Sequence, residues 1–261
     1  MDLNAIKAKL DALNSNGQER EKIDYSKIFW KPQLGKQTIR IVPSAFDPAF
    51  PFKELKFHYG VGKYPMVALS NFGKQDPIEE FVKELRKTSD KDNWSLSGKL
   101  NPKTRVFAPV VVRGEEEKGV RLWGFGVTIY KALLALAEDE DIGDFTDVLQ
   151  GWDMVVEMAQ GNPYPETSVR IKPKQTELSS DNTQVDLWLK TQPNPTEVFT
   201  QYDYDYIKKQ LQGYLNPGAE ETATPTQAVT PPAPPKTDFT LETAAADSKD
   251  KVSEFDDLFN E

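Results

Sequence analysis

The stretch Thr104-Arg-Val-Phe-Ala-Pro-Val-Val-Val-Arg113 alternates between small apolar residues and larger or charged ones, as a half-buried β-strand does. Its small apolar face consists of Val106, Ala108, Val110 and Val112. Its opposite face consists of Arg105, Phe107 and Arg113. A turn at residues 114–119 leads to Val120-Arg-Leu-Trp-Gly-Phe-Gly126, one face of which carries Arg121, Trp123 and Phe125. We therefore predict a hairpin whose aromatic and basic face is separate from its apolar face.

Other alternating runs predict further strands, at residues 37–42, 54–59, 64–69, 153–159 and 167–172. Apolar residues at helical spacing predict helices at residues 77–87, 128–137 and 202–215. Short strands joined by turns, with helices inserted between them, favour a small barrel or a sandwich over a parallel α/β sheet. The sequence therefore predicts a mainly β fold with inserted helices.

Composition divides the chain into four segments. Residues 1–19 form an N-terminal arm with helical apolar spacing, and residues 20–216 form the globular core. Residues 217–251 are rich in Pro, Thr and Ala, which is typical of a disordered linker. Residues 252–261 form an acidic tip with interspersed hydrophobic residues, which favours a short motif that binds partner proteins. The residues of that motif are Phe255, Asp256, Asp257, Leu258 and Phe259.

The formal net charge of −9 hides a basic segment within the chain. Residues 20–131 carry 21 basic and 13 acidic side chains, whereas residues 217–261 carry 3 basic and 10 acidic ones. A basic segment inside an acidic protein is the electrostatic pattern expected of a surface that binds nucleic acid.

Composition also excludes several kinds of site. The chain contains no cysteine, so disulfides, thiolate metal sites and cysteine nucleophiles are excluded. No apolar run reaches the roughly 18 residues of a membrane span, so we expect no membrane partner. His58 is the single histidine, and we expect it at the surface or at a barrel edge. Because no catalytic signature is present and the carboxylate clusters resemble solvated charge runs, we expect that the protein is not an enzyme.

Rings and cations on one strand face suit single-stranded nucleic acid. Bases stack on aromatic rings with about 1–3 kcal/mol per base, while cations follow the phosphates. A second wall of the same kind consists of Lys56, Phe57, Tyr59, Lys63 and Tyr64. Two alternatives stay open. Either the rings fill a core and the barrel is a protein-interaction scaffold, or the barrel binds RNA.

A series of motifs follows in order along the chain: Thr38-Ile-Arg-Ile-Val-Pro-Ser44, the strand at residues 52–60, Val106-Phe-Ala-Pro-Val-Val-Val112, Gly119-Val-Arg-Leu-Trp-Gly-Phe-Gly126, residues 151–178 and Asp256-Asp-Leu-Phe-Asn-Glu261. Together they resemble the single-stranded-DNA-binding, helix-destabilising proteins of T-even-like tailed phages. The resemblance implies an OB-fold, a five-stranded Greek-key barrel with an electropositive cleft. It implies sequence-independent binding of single-stranded DNA in replication, recombination and repair. The resemblance assigns DNA contact to Arg40, Lys103, Arg105, Phe107, Arg121, Trp123 and Phe125.

The resemblance also implies partners and a location. We expect the protein to bind cooperatively to itself along the DNA, and its acidic tip to contact replication and recombination proteins. The expected location is the cytoplasm of an infected bacterial host cell. The family's N-terminal basic patch, which mediates cooperativity, is reduced here to Lys7 and Lys9. Cooperativity therefore either runs through the N-terminal helix at residues 3–13 or is weak.

The chain departs from the family at a metal site. The best-known members hold a structural zinc ion through cysteines and a histidine. His58 stands at the matching place, but the chain has no cysteine. We therefore expect no zinc and no other cofactor. The helix at residues 77–87 is expected to hold this subdomain together through its apolar stripe, Ile78, Phe81, Val82 and Leu85.

Overall fold

The computed structural model describes residues 25–47 and 49–216. Its strands are β1 (Phe29–Trp30), β2 (Gly35–Ile41), β3 (Lys53–His58), β4 (Met66–Val67), β5 (Lys103–Val112), β6 (Arg121–Phe125), β7 (Gly151–Ala159) and β8 (Glu166–Thr176). Its α-helices are α1 (Tyr25–Ile28), α2 (Pro77–Lys87), α3 (Lys91–Leu100), α4 (Val127–Glu138), α5 (Asn182–Lys190) and α6 (Tyr204–Leu215). Short 3₁₀ turns cover Leu69–Phe72 and Glu116–Lys118. The predicted N-terminal arm, linker and acidic tip lie outside the described residues.

The strands form one sheet of eight, with β5 near its centre. The hydrogen-bonded order is β1-β6-β5-β2-β7-β8, and β3 pairs with both β5 and β4. All pairs are antiparallel except that of β1 with β6. Along one edge, β5 pairs first with β3 and then with β2, while β6 covers its other edge. Strand β5 is therefore the element that joins the two halves of the sheet.

The predicted mainly β fold with inserted helices is confirmed. The sheet has eight strands rather than the five of the expected barrel. Within residues 25–47 and 49–216, no strand pair joins β8 to β1 and closes the path. The strands predicted at residues 153–159 and 167–172 are present as the antiparallel pair β7 and β8. Helices α3 and α5 were absent from the sequence prediction.

The register between β5 and β6 decides which residues enter the core. Val106 lies opposite Phe125, and Ala108 lies opposite Trp123. Directly opposed residues of an antiparallel pair project from the same face, so Trp123 and Phe125 share the small apolar face of β5. The prediction of a separate face for these two rings is therefore wrong. The core cluster that contains them is completed by Trp30, Ile39, Ile41, Phe52, Val106, Ala108, Val110, Val112, Ile129, Leu133, Phe145, Met154 and Val156.

A second hydrophobic cluster lies between α2, α3 and α6. The predicted apolar stripe of α2 is buried in it, as are residues Ile207 and Leu211 of α6. Asp76 caps α2 by accepting hydrogen bonds from the N–H groups of Ile78 and Glu79. As expected, α2 contributes to this cluster through its apolar stripe. No helix within the described residues combines the length and the apolar character needed to cross a membrane.

Arg40 is a buried structural residue. Its guanidinium donates hydrogen bonds to Thr176 Oγ1 at 3.1 Å, to the Thr176 carbonyl at 2.9 Å and to the Asp147 carbonyl at 2.7 Å. The Asp153 carboxylate lies 3.5 Å away and also accepts hydrogen bonds from Arg113. Burial lowers the pKa of Arg40, and the charge of Asp153 opposes this effect. The expected DNA contact of Arg40 is corrected here, because the side chain is 0% exposed and its hydrogen bonds join β2 to β8 and to the loop before β7.

Arg40→Met removes these donors and keeps an unbranched side chain. We expect the free energy of unfolding to fall by about 3 kcal/mol, because breaking a buried ion pair leaves polar groups without partners. Urea denaturation measures the change. Arg170→Met, at an exposed arginine on β8, is the matched control, with an expected change within about 0.5 kcal/mol. A loss below about 1 kcal/mol for Arg40→Met contradicts the structural role.

Candidate nucleic-acid interface

Rings and cations alternate across β3 and β5, on the sheet face opposite the main core. Lys53 lies opposite Phe107, Leu55 opposite Arg105, and Phe57 opposite Lys103. Because opposed residues project from the same face, these pairs place two rings and three cations on one surface. The alternation that the sequence predicted is therefore present, but it lies across β3 and β5 rather than across β5 and β6.

Six rings form a continuous group on this face, which we call the aromatic patch: Tyr25, Phe29, Phe57, Tyr59, Phe107 and Phe199. Phe199 sits at its centre, with ring centroids 4.9 Å from Phe57, 5.3 Å from Phe107 and 5.5 Å from Phe29. Tyr25 stacks on Phe29 at 6.2 Å, and Tyr59 lies 6.2 Å from Phe57. These contacts connect all six rings into one group.

The aromatic patch has a buried floor and an accessible rim. Phe57 and Phe107 are buried, so they form the floor. Phe29, Tyr59 and Phe199 are half-buried, and Tyr25 is 52% exposed. A flat ligand can therefore reach the rim rings without any rearrangement of the floor.

Gly124 makes room for the floor. It lies opposite Phe107 in the β5–β6 pair, and a Cβ atom at Gly124 would approach Phe107 Cε1 to 2.8 Å. Real Cβ contacts do not come this close, so the Phe107 ring can lie across β6 only because residue 124 is a glycine.

Cations surround the rings. Lys53 and Lys103 are exposed, and Arg105 is half-buried. Lys103 Nζ lies 5.7 Å from the centroid of the Tyr59 ring, within the range of a cation–π interaction. Lys56 is exposed but lies opposite Thr104, which places it on the other face of β3 from Phe57. The charges on the patch face are therefore Lys53, Lys103 and Arg105.

Two other predicted contact residues, Lys63 and Tyr64, lie in the loop between β3 and β4. Both are exposed, and Lys63 Nζ lies 5.4 Å from the centroid of the Tyr64 ring. Lys63 and Tyr64 therefore form a second pair of a cation and a ring, in the loop that follows β3.

The structure assigns other roles to Arg113, Arg121, Trp123 and Phe125. Arg113 donates hydrogen bonds to both oxygens of Asp153, at 3.1 Å and 3.2 Å from its Nε. Arg121 is buried and donates to Glu115 Oε2 at 2.5 Å. This bond, together with one from Lys118, lowers the pKa of Glu115. Trp123 and Phe125 are 1% and 2% exposed in the core, so none of the four presents a free group on the patch face.

Tyr25, Phe29, Phe199, Lys53 and Gly124 are parts of this site that the sequence interpretation missed. Tyr25 and Phe29 are four positions apart at a helix end, a spacing that was an available but weak signal. Phe199 comes from the segment between α5 and α6, which has no repeating pattern. No feature of its local sequence indicates a contact with β3 and β5.

His58 follows the patch residue Phe57. We expected it at the surface or at a barrel edge; it ends β3 with its side chain buried, so the surface position is wrong. Its Nε2 atom lies 3.0 Å from Asp76 Oδ2. Burial alone would raise the pKa of Asp76, but hydrogen bonds from His58 and from the N–H groups of Leu69 and Glu79 outweigh burial and lower the pKa.

Among the described residues, no group of three or more His, Cys, Asp or Glu side chains could hold a metal ion.

Clustered rings among exposed cations on a β-sheet are typical of a nucleic-acid-binding surface. A family model described as gp32 DNA binding protein like matches residues 33–208, so the chain belongs to this family and binds single-stranded DNA. The resemblance found in the sequence motifs is therefore confirmed. No curated protein matches the chain.

Gly124→Ala tests the packing beneath the patch. We expect a loss of about 1–3 kcal/mol in the free energy of unfolding and weaker binding of single-stranded DNA, because the new methyl group displaces the Phe107 ring. Thermal unfolding and an oligo-dT titration provide the measurements. Gly98→Ala is the control, since nothing lies within 4 Å of its added Cβ and Ala favours helix α3. Unchanged stability and binding in Gly124→Ala contradict the packing described.

Proposed function

We propose that the protein coats single-stranded DNA without sequence preference during replication, recombination and repair, with the aromatic patch and its flanking cations as the binding surface. The observation that carries the proposal is the alternation of rings and cations across β3 and β5. Base stacking on the rim rings supplies contact with any sequence, because every base has a π-face. The cations supply contact with the phosphates that connect the bases.

The arrangement of β5 supports an OB-type surface. OB-folds bind oligonucleotides on the face of their central strands. Here the long strand β5 pairs with β2 and β3 on one edge and with β6 on the other, and the aromatic patch lies on its outward face. We propose that these four strands act as the OB-type unit and that β7 and β8 extend it.

The acidic tip supplies a second, separate role in this proposal. Phe255, Leu258 and Phe259 alternate with carboxylates at the end of a Pro-rich segment. Such a motif suits binding to replication and recombination proteins, and its negative charge suits competition with DNA for Lys53 and Lys103. We further propose cooperative binding along the strand and a location in the cytoplasm of an infected bacterial host cell. The protein acts in this role by binding alone, without catalysis.

Phe199→Leu tests stacking, because it removes the central rim ring and keeps most of the apolar volume. We expect the affinity for oligo-dT to fall by about 1–3 kcal/mol, the contribution of one stacked base. Fluorescence anisotropy of a labelled strand is the appropriate measurement, because it reports binding without relying on the tryptophans of the protein.

Two controls make this test specific. Tyr164→Leu removes an exposed ring in the β7–β8 turn and should leave the affinity unchanged. An abasic strand of the same length offers phosphates without bases, so Phe199→Leu and the unaltered protein should bind it equally. If Phe199→Leu and the unaltered protein bind oligo-dT with equal affinity, the aromatic patch is not the stacking surface.

Lys103→Gln tests the contact with phosphates. If Lys103 neutralises one phosphate, the slope of the logarithm of the binding constant against the logarithm of the salt concentration becomes shallower by about 0.7. Titrations with oligo-dT at several salt concentrations measure the slope. Lys83→Gln, at an exposed lysine on α2, is the matched control and should not change it. An unchanged slope in Lys103→Gln places the phosphate path elsewhere.

A further inference from the structure

One buried carboxylate joins three backbone segments beside the aromatic patch. Asp76 Oδ2 accepts a hydrogen bond from the Leu69 N–H at 2.8 Å and lies 3.0 Å from His58 Nε2. Asp76 Oδ1 accepts from the N–H groups of Ile78 at 3.0 Å and Glu79 at 3.2 Å. The side chains of His58 and Asp76 are 0% and 1% exposed. The end of β3, the 3₁₀ turn at Leu69–Phe72 and the start of α2 therefore meet at one side chain.

The residues at this place do not fit the zinc ion that the family resemblance implies. A structural zinc site needs about four ligands, commonly thiolates and imidazoles. The chain has no cysteine, and the Nε2 atom of His58 already contacts Asp76. Both oxygens of Asp76 accept backbone hydrogen bonds, so coordination to a metal would compete with the N–H group of Leu69 or with those at the start of α2.

We infer that the His58–Asp76 pair is a metal-free cross-link that positions the aromatic patch. His58 lies between Phe57 and Tyr59, so the anchoring of its ring fixes the backbone from which both patch rings project. Phe57 in turn contacts Phe107 and Phe199, and Tyr59 lies beneath Lys103. His58 and Asp76 are thus positioning residues, since neither presents an atom to the DNA.

The hydrogen bond to Asp76 sets the orientation of the buried His58 ring. The His58 ring is enclosed, and its Nδ1 atom has no hydrogen-bond partner, so Asp76 provides the polar contact that orients it. A leucine at position 58 would keep apolar packing and lose this contact. A glutamine would keep an N–H donor that reaches toward Asp76. Comparing the two substitutions therefore separates the effect of the hydrogen bond from the effect of filling the volume of the His58 ring.

The experiment compares His58→Leu with His58→Gln in the full chain, well below the unfolding temperature of each variant. The inference rests on the proposed function, and its readout is the affinity of the folded protein for oligo-dT. We expect His58→Leu to bind about fivefold or more weakly, which is the lower end of one lost base stack, and His58→Gln to recover most of that loss. In a Tyr59→Leu background, the effect of His58→Leu should shrink, because the ring that it positions is absent.

Val82→Ala controls for general loss of stability, because Val82 lies on α2 in the second hydrophobic cluster and makes none of the hydrogen bonds of Asp76 described above. It should lower the unfolding temperature and leave the affinity of the folded protein unchanged. If His58→Leu behaves in the same way, the positioning role is overturned, although the proposed function stands whenever Phe199→Leu still weakens binding. Metal analysis of the purified protein is the second measurement. Stoichiometric zinc, with an unfolding temperature that falls on chelation, would overturn the metal-free cross-link.

Discussion

The structure depends on strand β5 and on its register with three neighbours. Because the side chains of a strand alternate, β5 supplies the core through one set of residues and the outer face through the other. Its pairing with β6 brings Trp123 and Phe125 onto the core side, and its pairing with β3 brings Phe57 onto the outer side with Phe107. A shift of one residue in either register would exchange these faces and remove the aromatic patch.

That dependence explains what the sequence could predict. Alternation within residues 104–113 correctly identifies the strand and its small apolar face, and helical spacing correctly identifies the stripe of α2. Alternation within one strand cannot say which face of the next strand lies beside it. The register that places Ala108 opposite Trp123 is set by pairing between strands. The alternation within residues 120–126 is therefore compatible with Trp123 in the core and with Trp123 at the surface. The misplacement of Trp123 and Phe125 follows from this missing information.

Long-range contacts account for the remaining differences. Arg40 alternates with Ile39 and Ile41 and therefore has the local pattern of an exposed strand residue. Its burial is decided by partners far along the chain, Asp153 and Thr176, which surround its guanidinium with acceptors. Phe199 is the converse case, a ring in an irregular segment that tertiary folding brings into the centre of the patch. Neither outcome can be read from residue periodicity, because periodicity reports only neighbours in sequence.

In the proposed function, the rings and the cations of the patch have separate roles. Because salt screens charges that lie more than about 8 Å apart, the net charge of −9 does not exclude phosphate binding at the local cations Lys53, Lys103 and Arg105. Cations alone would attract duplex and single-stranded DNA alike, because both expose phosphates. The rings add stacking only when bases are unpaired and exposed. In the proposed function, the preference for single strands therefore depends on the rings of the aromatic patch rather than on the cations around them.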